Sequence, residues 1–346
     1  MKILIIKTSA LGDVIHAFPC LQYLRQKFPE AQIDWVVEKS FAELVQAHPG
    51  VNRALTVDTK QWRKGLFKKE TRRAMSDFLK KLRTVHYDVV FDLQGNIKSG
   101  LICGFVKASF KVGFGKRTVP EWPNLIFSNV HYNPPKGQNI RLDYLHLLQS
   151  YFKDFSVFQD TGVLLRLQPE QKTLLEQIKK SIQALPGTKI MVCPGSAWPN
   201  KQLTQEGLLQ LLHQLRKKRP CSFIFVWGTA QEKDYVLKLH EHFPSDSMVV
   251  DRMPLPVLQN LMGALDLVVA MDSLPLHLAG TTQVPTLSVF GASSAAKYKP
   301  EGVQHQSYQG VCPYGRTFEK RCPILRSCPT GACIHEFEPT KFDYKL

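Results

Sequence analysis

Short runs of β-branched and other apolar residues recur along the chain, each followed by a stretch with helical spacing: Ile3 to Ile6, Ile33 to Val37, Val89 to Leu93, Ile190 to Cys193, Phe223 to Trp227, Leu267 to Ala270 and Thr286 to Phe290. Such alternation predicts parallel βαβ units. Met75, Phe78, Leu79, Leu82 and Val85 recur every three to four residues, so the segment from about Glu70 to Tyr87 reads as an amphipathic helix. A second helix is expected over Ile140 to Phe152, after the Pro134-Pro135 break. The region from Lys153 to Pro169 lacks a sustained period, and beyond it the alternation restarts at Lys189, after Pro186-Gly187. The pattern predicts two doubly wound α/β domains facing one another across a cleft. They are expected over residues 1–155 and 171–311, with a linker at 156–170 and a cysteine-rich tail at 312–346. A chain of 346 residues is long enough for two such cores.

Composition changes this picture in one respect. There are 45 Lys and Arg against 29 Asp and Glu, a net charge of +16. Residues 1–150 carry 23 of the basic and 12 of the acidic residues, so most of the excess is N-terminal. Ten basic residues lie between Lys60 and Arg83, against Glu70 and Asp77 alone. That balance suits a polyanionic partner, whether nucleic acid, an acidic membrane surface or a phosphorylated substrate. Only Trp62, Phe67 and Phe78 interleave the basic run, too few for base stacking, so nucleic acid is not the expected partner. No apolar run reaches the roughly 18 residues of a membrane span, and the N-terminal run is too short for a signal peptide. A cytoplasmic protein is expected.

The strand ends carry the candidate chemistry. After the first strand the chain reads Lys7-Thr8-Ser9-Ala10-Leu11-Gly12-Asp13-Val14-Ile15-His16. One glycine stands where a dinucleotide fingerprint wants three, so this turn is no pyrophosphate cradle. Asp13, placed at the start of a helix expected near Val14, is either an N-cap or a general base. In the second half, Pro194-Gly195-Ser196-Ala197-Trp198-Pro199-Asn200-Lys201 has the small residues, hydroxyl and lysine of an anion cradle. Glu232, beyond Trp227-Gly228-Thr229, suits ribose hydroxyls; Asp272 and Ser273 suit sugar hydroxyls or a helix start, with His277 following. Four tail cysteines, Cys312, Cys322, Cys328 and Cys333, fall within 22 residues without a Cys-x-x-Cys knuckle. They are either free thiols or ligands of a structural zinc or iron.

Taken together and in order, these segments resemble the ADP-heptose lipopolysaccharide heptosyltransferases, closest to heptosyltransferase I, which are inverting glycosyltransferases of the GT-B fold. The likeness is carried by Lys7 to His16, Asp34 to Glu38 with Phe41-Ala42, Trp62 to Lys64, Pro194 to Lys201, Trp227 to Glu232 and Asp272 to His277. It is strong over roughly 1–65 and 190–293 and weak over 100–185 and 300–346. The resemblance implies Asp13 as catalytic base, and Ser196 and Lys201 at the donor pyrophosphate. It implies Glu232 at the ribose, Met253 near the adenine, and Asp272, Ser273 and His277 around the diphosphate and heptose. Lys60, Arg63 and Lys64 fall on the family's basic acceptor segment. Leu274 stands where the family usually has glycine, and Gln61 where it usually has a basic residue. The implied partners are ADP-heptose, a Kdo-lipid A acceptor and the anionic inner face of the inner membrane. No metal cofactor is implied, since no Asp-x-Asp pair stands at a predicted strand end. A related transferase with another nucleotide sugar or acceptor would share nearly all these residues.

Overall fold

The computed structural model describes residues 1–65, 67–342 and 344. It divides the chain into two compact units, Met1–Asp160 and Thr161–Leu346. Each unit holds one six-stranded, wholly parallel sheet. The first comprises β1 (Lys2–Ile6), β2 (Gln32–Glu38), β3 (Arg53–Val57), β4 (Tyr87–Asp92), β5 (Ala108–Phe114) and β6 (Val130–Tyr132), in the order β3-β2-β1-β4-β5-β6. The second comprises β7 (Thr188–Cys193), β8 (Cys221–Phe225), β9 (Ser247–Val249), β10 (Leu267–Met271), β11 (Thr286–Phe290) and β12 (His305–Gln309), in the order β12-β11-β10-β7-β8-β9. Both follow the doubly wound order in which strand order reverses beside the unit's first strand.

The central strands are apolar throughout because helices cover both faces of a parallel sheet. Ile3, Leu4, Ile5 and Ile6 are all fully buried. Ile3 lies between Ile33 and Val89 in register, and Val269 of β10 pairs with Val192 of β7 and Leu287 of β11. The seven expected strands all form. Five more, β3, β5, β6, β9 and β12, occupy positions away from the sheet centres, where half-exposed strands need no continuous apolar run.

The Ile140–Phe152 helix matches its expected span and closes on Lys153 in the left-handed conformation, φ 52°. The basic helix is shorter than expected, Lys69–Leu82. It stops because the Thr84 hydroxyl takes the Lys81 carbonyl, and the chain must straighten to enter β4 at Tyr87. In the second unit, Ile334, Phe337, Phe342 and Tyr344 of the tail enter the same apolar core as β7, β8 and β10. Among the described residues no helix is long and apolar enough to cross a membrane.

Candidate functional site

In an open α/β sheet, the two connections that leave in opposite directions at the order reversal open a crevice at the carboxyl edge. In the first unit that point lies between β1 and β4. The turn after β1 is tied to the one after β4: the Gln94 amide oxygen accepts the Thr8 and Ser9 N–H groups, each at 3.2 Å. Buried Asp92 fixes the β4 end by accepting from Gln94 N, Gly95 N, Ser99 Oγ and Asn124 Nδ2 at 2.7 to 3.0 Å. The helix that follows β1 spans Leu11–His16, beginning three residues before the expected start. Its N-cap is Ala10, so Asp13 is not the cap residue. Asp13 stands one turn in and reaches back, its Oδ2 accepting the Ala10 N–H at 3.2 Å. The carboxylate is half-buried at the crevice edge, while His16 is buried.

Sequence reasoning did not single out Lys7 as a site residue. Its side chain is 4% exposed, and its ammonium donates to the Leu93 carbonyl at 3.0 Å and the Tyr144 hydroxyl at 2.8 Å. Burial pushes its pKa down to about 8, against the opposing charges of Asp13 and Asp92. The available signal was a lysine directly ending a fully apolar strand, where a charge must find partners.

Lys60, Arg63 and Lys64 are exposed on a short helix, Thr59–Lys64, that follows β3. Asp58 caps it by accepting from Gln61 N at 3.1 Å, and Glu38, at the end of β2, accepts from Thr59 N and Oγ1. Trp62 packs its ring on Phe78, centroids 5.6 Å apart, turning the three basic side chains outward. They thus share the carboxyl edge of the first sheet with Asp13.

In the second unit the reversal lies between β7 and β10. Lys201, 8% exposed, forms a buried ion pair with Asp272 at the end of β10. Asp272 also accepts from the Ser293 hydroxyl, beyond β11, and lies 3.3 Å from His277 Nε2. Burial alone would raise the Asp272 carboxyl; the hydrogen bond and charge of His277, with Lys201, hold it below the usual carboxylate range. Lys201 is thus one arm of a buried cluster that reaches from the cradle to the ends of β10 and β11. Ser293 is a further residue that sequence reasoning passed over, although it stands at a strand end after Gly291-Ala292.

Ser273 is the N-cap residue of the Leu274–Ala279 helix, and its hydroxyl, buried, has no hydrogen-bond partner among the described residues. Glu232 belongs to a capping box, its Oε2 accepting from Gly228 N at 2.7 Å and Thr229 N at 3.2 Å. The carboxylate presses on Gly195: a Cβ there would stand 2.2 Å from Glu232 Oε1. The cradle loop and the β8 loop thus meet so closely that a side chain at 195 requires the Glu232 carboxylate to shift. Ser196 is half-buried and its carbonyl accepts from Gln202 Nε2. Met253, half-buried, lies in the loop between β9 and the Leu255–Gly263 helix, one strand further out.

The four tail cysteines line one small cavity and all are free thiols. Backbone N–H groups of Gly331 and Thr330 lower the Cys328 thiol, whereas burial pushes Cys333 up to about 11. Among the described residues no group of three or more His, Cys, Asp or Glu side chains is arranged to hold a metal ion. The four sulfurs face a shared cavity, and burial and the neighbouring thiols act together on Cys333. The tail is nonetheless anchored beside the cradle, where Asn200 Nδ2 donates to the Leu325 and Cys328 carbonyls at 2.9 and 3.1 Å.

Comparison with known proteins supplies a family. The profile of glycosyltransferase family 9 (heptosyltransferase) matches residues 75–326, including the stretch where motif likeness is weakest. Lipopolysaccharide heptosyltransferase 1 of Pseudomonas aeruginosa is 30% identical over 100% of this chain and 90% of that protein. Among solved structures, Escherichia coli heptosyltransferase WaaC with ADP superposes with a TM-score of 0.74 at 24% identity, covering 89% of this chain and 92% of that one. The same enzyme with ADP-2-deoxy-2-fluoro heptose gives a TM-score of 0.73 at 24% identity, over 90% and 94%. The doubly wound pair of sheets is the fold these structures share.

Proposed function

Because the chain belongs to glycosyltransferase family 9, the heptosyltransferases, we propose that it moves heptose from ADP-heptose to a Kdo hydroxyl of Kdo-lipid A, with inversion, using Asp13 as base. The protein is a glycosyltransferase, a lipopolysaccharide heptosyltransferase. The donor, acceptor and base assignments rest on the residues at the two sheet edges. The Asp13 carboxylate takes the proton of the acceptor hydroxyl as that oxygen bonds to the anomeric carbon of heptose. The bond from that carbon to the β-phosphate oxygen breaks, and ADP leaves with the electron pair. Attack opposite the leaving group inverts the anomeric centre.

The observation that carries the donor assignment is the Lys201–Asp272–His277–Ser293 cluster at the order reversal of the second sheet, with the unpartnered Ser273 hydroxyl beside it. An ammonium has three N–H donors. Asp272 takes one from Lys201, which leaves the others for the charge that grows on the departing diphosphate, while Ser196 and Ser273 offer hydroxyls. Glu232, held by its loop amides through Oε2, presents Oε1 to ribose hydroxyls. Met253 is assigned to the adenine edge by its family spacing. Lys60, Arg63 and Lys64 supply exposed positive charge for the phosphates and carboxylates of the acceptor, and the anionic inner face of the inner membrane is its place of work. The proposal is tested by incubating the protein with ADP-heptose and purified Kdo-lipid A. A product heavier by one heptose, formed with one ADP, is expected in mass spectrometry. Transfer from another nucleotide sugar but not from ADP-heptose overturns it.

A further inference from the structure

A polar, highly charged first unit carries one surface whose composition is of the opposite kind. The Ile97–Phe105 helix buries Ser99, Gly100, Ile102 and Cys103 and turns Ile97, Leu101 and Phe105 outward, 42%, 47% and 49% exposed. Spaced by four, these form a single apolar stripe along the helix. Beside it runs a 3-10 helix, Trp122–Phe127, with Trp122 and Ile126 64% and 79% exposed.

The two segments are locked together, so that their exposed side chains form one patch. Glu121 Oε2 accepts the Ile97 N–H at 2.8 Å, and Asn124 Nδ2 donates to the Asn96 carbonyl at 2.9 Å. The Phe127 ring lies on two glycines of the helix, where a Cβ at Gly100 or Gly104 would stand 2.5 or 3.0 Å from it. Large exposed apolar groups gathered in this way mark an interaction site in a soluble protein.

The rim identifies the partner. Between residues 93 and 132 the chain has Lys98, Lys107, Lys111, Lys116 and Arg117 but only one acid, Glu121, already engaged at the helix start. Lys116 Nζ lies 5.7 Å from the Trp122 ring centroid, and Lys111 Nζ reaches the Gly104 carbonyl. An aromatic and aliphatic face framed by lysines, with Trp at its border, has the chemistry of a bilayer interface carrying negative headgroups. A protein partner would leave five like charges to be matched one by one; an anionic leaflet matches them collectively.

We propose that this face, made of the Ile97–Phe105 helix and the Trp122–Phe127 turn, docks the enzyme on an anionic membrane surface. It continues from the acceptor edge, since the helix follows the turn after β4, where Gln94 braces the Thr8-Ser9 turn. The inference rests on the lipid-borne acceptor proposed above and places the enzyme where that acceptor is presented.

The experiment is vesicle sedimentation of the full chain without donor or acceptor, so that docking is read independently of transfer. Vesicles of phosphatidylcholine alone are compared with vesicles containing phosphatidylglycerol, using the parent, Ile126→Ser/Phe105→Ser and Lys98→Ser/Lys107→Ser. The parent should bind the phosphatidylglycerol vesicles and fall off as salt rises. The apolar double variant should bind them about tenfold or more weakly, since two buried methylenes already amount to that factor. The lysine variant should lose its preference for anionic lipid. Circular dichroism and melting should match the parent, all four positions being solvent-facing. Equal vesicle binding by parent and apolar variant overturns the proposal. So does a concentration-dependent dimer in sedimentation equilibrium that Ile126→Ser/Phe105→Ser abolishes, which assigns the face to a second copy. Loss of heptose transfer with normal vesicle binding bears on the functional proposal alone.

Discussion

Replacing Asp13 with asparagine separates the structural role of its carboxylate from the proposed catalytic one. Structurally, Oδ2 accepts the Ala10 N–H at 3.2 Å from the first turn of the Leu11–His16 helix. The amide oxygen of asparagine accepts that bond equally well, so only the charge at the helix start is lost, about 0.3–1 kcal/mol. The surrounding unit spans Met1–Asp160, and at that size 1 kcal/mol moves a melting temperature by roughly 2–4 °C. The variant should therefore melt within about 4 °C of the parent. Catalytically, an amide cannot take the acceptor proton, and general-base catalysis is worth about a hundredfold to ten-thousandfold. That is roughly 2.7–5.4 kcal/mol at about 1.36 kcal/mol per decade, several times the structural cost. Turnover is followed as ADP release at saturating donor and acceptor, ADP affinity by calorimetry, and unfolding by differential scanning fluorimetry. ADP affinity should stay unchanged. A variant with a tenth or more of the parent turnover, or one whose activity loss is matched by collapse of its melting temperature, refutes the base assignment and leaves Asp13 a first-turn brace.

The other predictions concern charges that the fold has buried or displayed. Lys201→Met strands Asp272 without its cation and should destabilise the protein by about 3–5 kcal/mol, whereas Lys201→Met/Asp272→Asn should recover most of that loss and still bind ADP weakly; a double variant no more stable than the single one removes the pairing as the cause. Lys7, held near pKa 8 by burial against an ordinary 10.5, binds its proton more weakly folded than unfolded, so its charge penalises folding below pH 8 by up to about 3 kcal/mol, and the penalty fades between pH 8 and 10.5. Lys7→Met should consequently gain stability relative to the parent near neutrality and lose that advantage as pH rises; a difference flat in pH disproves it. Arg63→Ala/Lys64→Ala should raise the KM for the anionic acceptor, less so at high salt, with ADP affinity unaltered, and identical salt responses in parent and variant would make the pair a solvated face.

What could be read from the residues divides along physical lines. The strands at the middle of each sheet are buried on both faces and therefore announce themselves as apolar runs, as Ile3 to Ile6 and Leu267 to Ala270 do. Arg53–Val57 and His305–Gln309 lie at sheet edges, carry polar residues on a half-exposed surface, and look like loop. The strand ends Asp13, Ser196 and Asp272 were legible as chemistry because small residues and turns surround them. Their partners were not. Lys201 and Asp272 are 71 residues apart, and only the adjacency of β7 and β10 makes them a pair. The helix start was misplaced by three residues because Ala10 offers no capping side chain, so the signal sat on Asp13, which reaches back to do that work. The tail cysteines were legible as a cluster from their spacing alone, and the fold gathers all four around one cavity.

The closeness of Gly195 to Glu232 has a bearing on how this protein can change. Any side chain at 195 pushes against a carboxylate that is itself held by the Gly228 and Thr229 amides, so the intruder must also break that brace. The two positions therefore form an epistatic unit: a larger residue at 195 is accommodated best once a shorter one stands at 232, and that first step removes the acid proposed to hold the ribose. A directed-evolution campaign aimed at a new donor does best to randomise both codons in the same library.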